Sequence, residues 1–498
     1  MSEPAWTKSR ARLAGSPSTL DGLSDMMQTA RRIPPPAYDA AGRWDEAFES
    51  DGTPRGPYRE LLSALAGHDL EALRGSLEAE LEEAGVEFGE SEDSGTFPLD
   101  PVPRLISRSE WSLLERGITQ RARALGSFLA DANGERAMVS AGRIPARVIE
   151  SAEHFEPWMV DVPVDRTGCV AGLDLVRDSD GEFRVLEDNV RTPSGIAYMA
   201  AVHMASEAHL PSSGSWQRLD PAPAFAMLGD ALRGAAPDGA GDPSVALLSD
   251  GPANSAWWEH TEIARRLGVP IVSPKNLFVR SGRLHARLED SGTRELQVVY
   301  RRTDEDRLRE DDGSPTWIAD TLLEPCRKGT LSVVNPLGAG LGDDKLVHAY
   351  VDEMVRFFLG EEPLLPSVRT YDLGEPEVLA AAMPRLDELV VKPRTGHGGK
   401  GVIVCAHAEG EDRSAVAERV QADPTAWIAQ ETVMLSTHPT VCDGALVPRH
   451  VDLRPFVVGS GDTARAVPGA LTRVAFEPGA LVVNSSQNGG GKDTWILA

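Results

Sequence analysis

Apolar residues recur every three or four positions from Glu110 to Asp131 (EWSLLERGITQRARALGSFLAD), the spacing of one buried helical face, and this predicts a long helix. Between Trp44 and about Arg74 the pattern is also largely helical, with Leu61, Leu62, Leu65 and Leu70 as its apolar positions; Glu78 to Ser94 is acid-rich and reads as part helix, part loop. The period then changes to two. Gly172 to Val176 and Phe183 to Leu186 are short apolar runs around a Ser179-Asp180-Gly181 turn, which predicts a β-hairpin. From Val245 onward strands alternate with helices. Val245–Leu248, Ile271–Val272, Leu296–Tyr300 and Leu331–Val334 read as strands, and Ala256–Leu267 and Trp317–Pro325 as helices, an order that suggests a parallel, doubly wound sheet. From about Leu389 to the end the texture becomes strands and glycine-rich turns.

Pro, Gly, Ala and Asp concentrate in Pro211–Pro243, a plausible boundary, and residues 1–41 read as a flexible arm ending near Pro34-Pro35-Pro36. The expected division is therefore the arm 1–41, a mainly helical region 42–150, a hairpin segment 151–210, an α/β domain 245–345, and a final domain 346–498. No internal repeat is evident.

The chain has 498 residues, 41% of them hydrophobic, enough to bury a substantial core. Its formal net charge of −26 repels phosphate backbones and anionic lipid, which disfavours nucleic-acid and membrane-surface binding. The four cysteines form no CxxC pair, which argues against a disulfide scaffold or structural zinc. With no signal-like or spanning apolar run, a soluble, cytoplasmic protein is expected.

Three segments invite chemistry. Leu389-Val390-Val391-Lys392 followed by Arg394-Thr395-Gly396-His397-Gly398-Gly399-Lys400-Gly401 places a lysine at a strand end before glycines whose N–H groups can approach phosphate oxygens; the same residues suit a plain glycine-turn hairpin. No GK[ST] opens a helix there, so this is not a Walker A loop. Asp174 and Glu187 lie on adjacent strands of the hairpin, and Glu187 and Asn189 share a strand face. Together they offer hard oxygens suited to Mg²⁺, though a solvated acidic hairpin would look alike. Asp452 and Arg454 share one face of the strand His450–Val458, where a structural ion pair is the alternative, and the run Val482 to Trp495 reads as an ordered loop near a site.

Taken together, Lys345, Lys392, Gln430-Glu431, Asp452-x-Arg454, Arg473, Asn484 and Gly489-Gly490 follow the order of the ATP-grasp carboxylate–amine ligases, while the closing Asp174…Glu187-x-Asn189 element stands near the front instead. The runs VLEDNVRTPSGIAYM, VVYRRTDEDRL, NPLGAGLGDDKLVHAY, WIAQETVMLSTHPT, HVDLRPFVV and VVNSSQNGGGKDTWIL resemble the circularly permuted, type 2 ATP-grasp family over about residues 42–498. His397 and Lys400 depart from the smaller or apolar residues expected in the glycine lid.

The resemblance implies an α/β, circularly permuted ATP-grasp fold with a doubly wound domain before the nucleotide-binding core. It also implies an enzyme that uses ATP and Mg²⁺ to form an amide or peptide bond through an acylphosphate. Lys345, Lys392, Gly396, Gly398, Gly399, Gln430, Glu431 and Asp452 would bind nucleotide, and Asp174, Glu187 and Asn189 the metal. Arg454, Arg473, Asn484 and Arg191 would serve the reaction. Arg191, Ser194, Gly195, Arg301, Arg302 and Asp304 are candidates for substrate contact, with strand-end salt bridges as the competing role. The substrates would be small-molecule or peptide carboxylates and amines. A nucleotide-binding protein without turnover and a phosphotransferase acting on a non-carboxylate acceptor stay open as alternatives.

Overall fold

The computed structural model describes residues 38–498 except 41, 89–94, 97, 165–169, 211–216, 290–291, 396–400, 408–409 and 478–488. The arm expected over residues 1–41 thus falls outside, apart from residues 38–40. Along the described chain run α1 (Gly56–Leu65), α2 (Leu70–Glu83), β1 (Leu99–Ile106), α3 (Arg108–Ala132), β2 (Val170–Arg177), β3 (Phe183–Asn189), α4 (Ile196–His209), α5 (Ala224–Gly234), β4 (Val245–Leu248), α6 (Trp257–Leu267), β5 (Ile271–Val272), β6 (Leu277–Arg280), β7 (Arg283–Leu288), β8 (Gly292–Leu296), β9 (Val298–Arg301), α7 (Trp317–Arg327) and β10 (Ser332–Val334). They are followed by β11 (Thr370–Asp372), β12 (Leu389–Pro393), β13 (Ile403–Val404), α8 (Gly410–Ala422), β14 (Trp427–Glu431), β15 (Thr437–Cys442), β16 (Ala445–Val458), β17 (Arg465–Ala475) and β18 (Gly489–Ile496).

A seven-stranded sheet in the order β1–β18–β17–β16–β2–β3, with β15 also paired to β16, forms the centre. The early hairpin β2–β3 and the last strands of the chain are therefore parts of one sheet, as a circular permutation requires. Core residues lie on both faces. Leu173 and Leu175 of β2 and Leu453 of β16 pack with Leu114, Ile118, Leu125 and Phe128 of α3, whereas Val170, Phe456 and Val458 face a core built with α1, α2, α4 and α5. Coverage of both faces explains why all eight residues of β2 are buried. The α3 helix starts at a capping box in which Ser107 and Glu110 satisfy each other's backbone N–H groups, so the run expected from Glu110 begins two residues earlier.

The α/β alternation forms a parallel sheet ordered β10–β9–β4–β5, and a small antiparallel sheet ordered β11–β14–β12–β13 carries Lys392 and Gln430. Asn335 joins the parallel sheet to the hairpin: its Oδ1 accepts from Val170 N (2.9 Å), and its Nδ2 donates to Val170 O (2.6 Å) and Val190 O (2.5 Å).

Several readings change. The stretch Trp44–Pro54 is a loop of bends and turns with isolated bridges rather than a helix, held by Asp45 accepting from Ala47 N and Phe48 N (2.9 Å each), and the helix begins at Gly56. The helical N-terminal region also contributes β1, which pairs parallel with β18. Pro211–Pro243 contains α5, the final segment contains α8, and β6–β8 form an antiparallel sheet that the alternation did not reveal. In Gly489–Gly491, read as part of a loop near a site, the glycines open β18; a Cβ on Gly490 would lie 2.4 Å from both Pro98 O and the Phe476 ring, so close strand approach requires glycine there.

On the α1 side of the sheet Glu46 and Arg104 are buried together. Arg104 Nε and Nη2 donate to Glu46 at 2.7 and 2.6 Å, Ser436 Oγ donates to Glu46 (2.7 Å), and Arg104 Nη1 holds the backbone carbonyl of Asp452 (2.9 Å). Burial would raise the Glu46 carboxyl, but Arg104 and Arg177 outweigh it and hold it down to about 2. Glu46→Gln is expected to destabilise the fold by about 3–5 kcal/mol, because Arg104 is left buried without its counter-charge. The pair's contribution is present above the ordinary carboxyl value of 4.5 and is lost as pH falls towards 2. Denaturant titrations from pH 7 to 2 should show that loss in the parent protein and not in the variant.

Candidate active site

Where β2, β3, β16 and β17 meet the small antiparallel sheet there is a cavity of about 500 Å³. Its floor is set by register. Asp174 of β2 stands opposite Glu187 of β3, and Asp452 of β16 opposite Arg473 of β17. Alternation puts Asp452 and Arg454 on one face of β16. From there Arg454 grips both oxygens of Asp174, Nε–Oδ1 2.6 Å and Nη2–Oδ2 2.7 Å. Arg473 bridges the two carboxylates, with Nη2 2.9 Å from Asp174 Oδ2 and Nε 2.9 Å from Asp452 Oδ1. Burial works against an ionised Asp174, yet the two guanidiniums prevail and bring its carboxyl down to about 2.

Lys345, Lys392, Gln430 and Glu431 also line the cavity. The Lys392 ammonium is buried and stands 3.6 Å from Glu187 Oε1; desolvation lowers its proton affinity and Glu187 opposes that. Gln430 and Glu431 of β14 pair in register with Val390 and Leu389 of β12. Gln430 Nε2 donates to Thr370 Oγ1 (3.0 Å), and Glu431 accepts from Tyr371 Oη (2.5 Å) and Arg385 Nη2 (3.1 Å). Gly396, Gly398 and Gly399, with His397 and Lys400, fall outside the described residues, and so does Asn484.

Arg191 lines the cavity, its Nη1 3.1 Å from His154 Nε2. The remaining substrate candidates do not line it. Arg301 is completely buried and donates to the carbonyls of Thr303 (2.8 Å), Asn335 (3.2 Å) and Pro336 (3.1 Å), bracing the end of β10. Arg302 donates to Pro193 O (2.8 Å) and Ser194 Oγ (2.5 Å), and Gly195 N donates to Glu259 Oε1 (2.8 Å), so these three shape the turn before α4. Asp304 accepts from Thr192 Oγ1 at 3.5 Å. Both arginines also form buried ion pairs, Arg301 with Glu305 (3.2 Å) and Arg302 with Glu259 (3.3 Å), as a strand-end salt-bridge role requires.

Other lining groups gave little signal in the sequence. Arg394, two residues after Lys392, donates to both oxygens of Asp344 (2.9 Å each), to Ser151 Oγ (2.6 Å) and to Val148 O (2.5 Å), anchoring the start of the glycine run. Asp343 Oδ1 accepts from Val190 N (2.6 Å) and Arg191 N (3.0 Å). Only the adjacency of Asp343 and Asp344 to Lys345 could have drawn attention to them.

Glu187 and Asn189 fit a divalent cation. Both line the cavity from one strand face and offer hard oxygen acceptors, and among the described lining residues carboxylates, Asp188 aside, outnumber Lys and Arg side chains eight to six. An entering polyphosphate therefore meets too little positive charge without a metal ion. Asp174, expected as the third ligand, has both oxygens taken by guanidiniums, and among the described residues no cluster of three or more Asp, Glu, His and Cys side chains suited to a metal occurs.

Burial raises the Asp343 carboxyl to about 7, with Arg191 only partly offsetting it. A carboxyl raised on folding favours the folded state while protonated and loses that contribution as pH rises through its folded value. Asp343→Asn should leave stability near pH 4 unchanged and raise it by about 1–2 kcal/mol at pH 8, discounted for solvent at a half-buried carboxylate. Thermal unfolding across that range checks the crossover.

The description of the circularly permuted ATP-grasp type 2 family matches residues 103–475. A Frankia alni protein named "Putative glutamate--cysteine ligase 2-3" is 45% identical over 483 residues, covering 92% of this chain but 54% of that protein, so the chain spans about half the length of this relative. An uncharacterized protein of Mycobacterium tuberculosis is 40% identical over 465 residues (91% of this chain, 84% of that one), and one of Synechocystis is 37% identical over 473 residues (93% and 98%). Among solved structures, a glutathione synthetase-like effector from Globodera pallida superposes with a TM-score of 0.56 at 10% identity, over 86% of this chain and 98% of that one, a likeness of fold. Among the described residues no helix is long and apolar enough to cross a membrane. With a family match over most of its length and relatives at 37–40% identity aligned over most of theirs, the chain belongs to the circularly permuted ATP-grasp type 2 family.

Proposed function

We propose that the chain is an ATP-dependent ligase that joins a carboxylate to an amine through an acylphosphate. The observation that carries this reading is the convergence of Lys345, Lys392, Arg454 and Arg473 with the acceptors Glu187 and Asn189 on the walls of one cavity. The family and the name of the Frankia relative agree with it.

In this reading Gln430 and Glu431 hold the adenine and ribose, while Lys345 and Lys392 lie along the phosphates. Lys392 needs a counter-charge where it is buried, and a phosphate would supply a stronger one than Glu187 at 3.6 Å. Gly396, Gly398 and Gly399 add backbone N–H donors. Glu187 and Asn189 would hold Mg²⁺, which would neutralise charge on the phosphate oxygens during transfer. Arg191 orients the substrate carboxylate, one oxygen of which attacks the γ-phosphorus as the bond to the β-phosphate oxygen breaks and ADP leaves. The amine nitrogen then attacks the acyl carbon, phosphate departs, and the ammonium proton passes to solvent. Arg454 and Arg473 contribute by position: fixed against Asp174 before substrate arrives, their guanidinium planes need little reorganisation to meet the transferring group.

With an acceptable acid and amine, ADP and phosphate release should depend on both, and hydroxylamine should trap a hydroxamate, which only an acylphosphate gives. Glu187→Ala should lower ADP release by about 100-fold or more, and Lys392→Met should raise the KM for ATP about tenfold or more. Undiminished turnover in Glu187→Ala, or ATP binding with no phosphate released across a broad acid–amine library, would overturn the reading.

A further inference from the structure

Asp188 borders the cavity, but strand alternation turns its carboxylate away from the face of β3 that carries Glu187 and Asn189, into a buried polar cluster. Arg121, from the middle of α3, holds both of its oxygens (Nε–Oδ1 2.6 Å, Nη2–Oδ2 2.8 Å). His348, three residues beyond Lys345, approaches the same carboxylate from the other side, with Nδ1 2.7 Å from Oδ2. Burial alone would raise the Asp188 carboxyl, but Arg121 and then His348 hold it well below the usual range. An ionised carboxylate only accepts, so the short contact is one that His348 Nδ1 donates, and Arg121 Nη2 lies 3.1 Å from the same nitrogen.

The cluster extends outward. Arg121 Nη1 donates to Ser367 Oγ (2.9 Å), and Ser367 Oγ donates to Asp352 Oδ1 (2.9 Å). The chain at Ser367 is stitched to β3 by Val185 N donating to Pro366 O (3.0 Å) and Val368 N donating to Val185 O (2.8 Å). A second tether joins the same two segments from the cavity side, since Asp343, two residues before Lys345, accepts from Val190 N and Arg191 N just past Asn189. Beside the Asp343 tether Gly342 lies against Val190, where a Cβ would come within 2.4 Å of Cγ2. The strand bearing Glu187 and Asn189 and the turn bearing Lys345 are thus locked on both sides.

We propose that Asp188, Arg121 and His348 are positioning residues forming a clamp that fixes the spacing between the Glu187–Asn189 face and the Lys345 turn, so that a divalent cation and the nucleotide phosphates bind as one coupled unit. This rests on the nucleotide–metal reading given above. Arg121 and His348 do not line the 500 Å³ cavity, and both oxygens of Asp188 are held by Arg121 behind the strand. They act through the strand and the turn that they join, as partners behind metal ligands generally do.

The test measures ADP binding by calorimetry to the full chain, with Mg²⁺ and with EDTA, and takes the ratio of the two affinities. The parent protein should bind ADP more tightly with Mg²⁺. His348→Leu and Asp188→Asn should each reduce that ratio about tenfold or more, with ADP affinity in EDTA within about twofold of the parent. His348→Gln, whose amide can still donate to Asp188, should recover most of the ratio. If Asp188→Asn fails to fold, the two His348 variants decide the matter, since they leave the Arg121–Asp188 pair intact. A lowered melting temperature with an unchanged ratio would make the cluster a stability element and overturn the clamp alone. A parent protein indifferent to Mg²⁺ would overturn the nucleotide–metal reading and the clamp with it.

Discussion

Two carboxylates and two guanidiniums meet at the floor of the cavity, one pair of them contributed by residues 280 positions apart in the chain. Asp174, Arg454, Arg473 and Asp452 neutralise one another where none could be buried alone, and each arrives on a different turn of the sheet's pleat. Such a cluster tolerates no slip in register: moving β16 by one residue against β2 or β17 would send Asp452 and Arg454 to the opposite face, into the core beside Leu114 and Phe128. The network therefore ties together strand order, the permuted topology and the geometry of the site.

The same logic recurs around it. Glu46 with Arg104, Asp100 with Lys492, and Asp188 with Arg121 are buried ion pairs joining segments far apart in sequence. Their net contribution to stability is modest, since desolvation offsets most of the attraction, but loss of one partner is severe. They make the arrangement specific instead. Arg104 illustrates this, because one guanidinium closes on Glu46 and also holds the carbonyl of Asp452, linking the α1 side of the molecule to the cavity floor. In a chain with a formal charge of −26, each of these buried cations is matched by a carboxylate of its own, so the pairing inside leaves the excess of acid unchanged.

Much of the fold could be read from local pattern. The α3 periodicity, the Asp-Gly turn between β2 and β3, and the strands β4, β5, β9 and β10 with helices α6 and α7 between them depend on short-range chemistry that neighbouring residues carry in full. At the site, Lys345, Lys392, Glu187, Asn189, Gln430, Glu431, Asp452, Arg454, Arg473 and Arg191 line one cavity. For other candidates local pattern left two roles open. Arg301, Arg302, Ser194 and Gly195 sit in strand-end and turn motifs that would suit a ligand equally well. Their partners, the carbonyls of Asn335 and Pro336 and the carboxylate of Glu259, are remote in sequence.

What the amino-acid sequence determined by itself was the kind of element at the strongly patterned stretches, the family, and which strand faces could carry charge, because side-chain alternation and turn chemistry are local. What only the tertiary structure decided was the partner of each charge. Whether Asp174 is open to a metal or held by arginines, and whether Asp188 faces the cavity or anchors a turn, depends on which strands lie beside β2 and β3. Strand neighbours are chosen by burial over the whole sheet, a property that no single segment possesses.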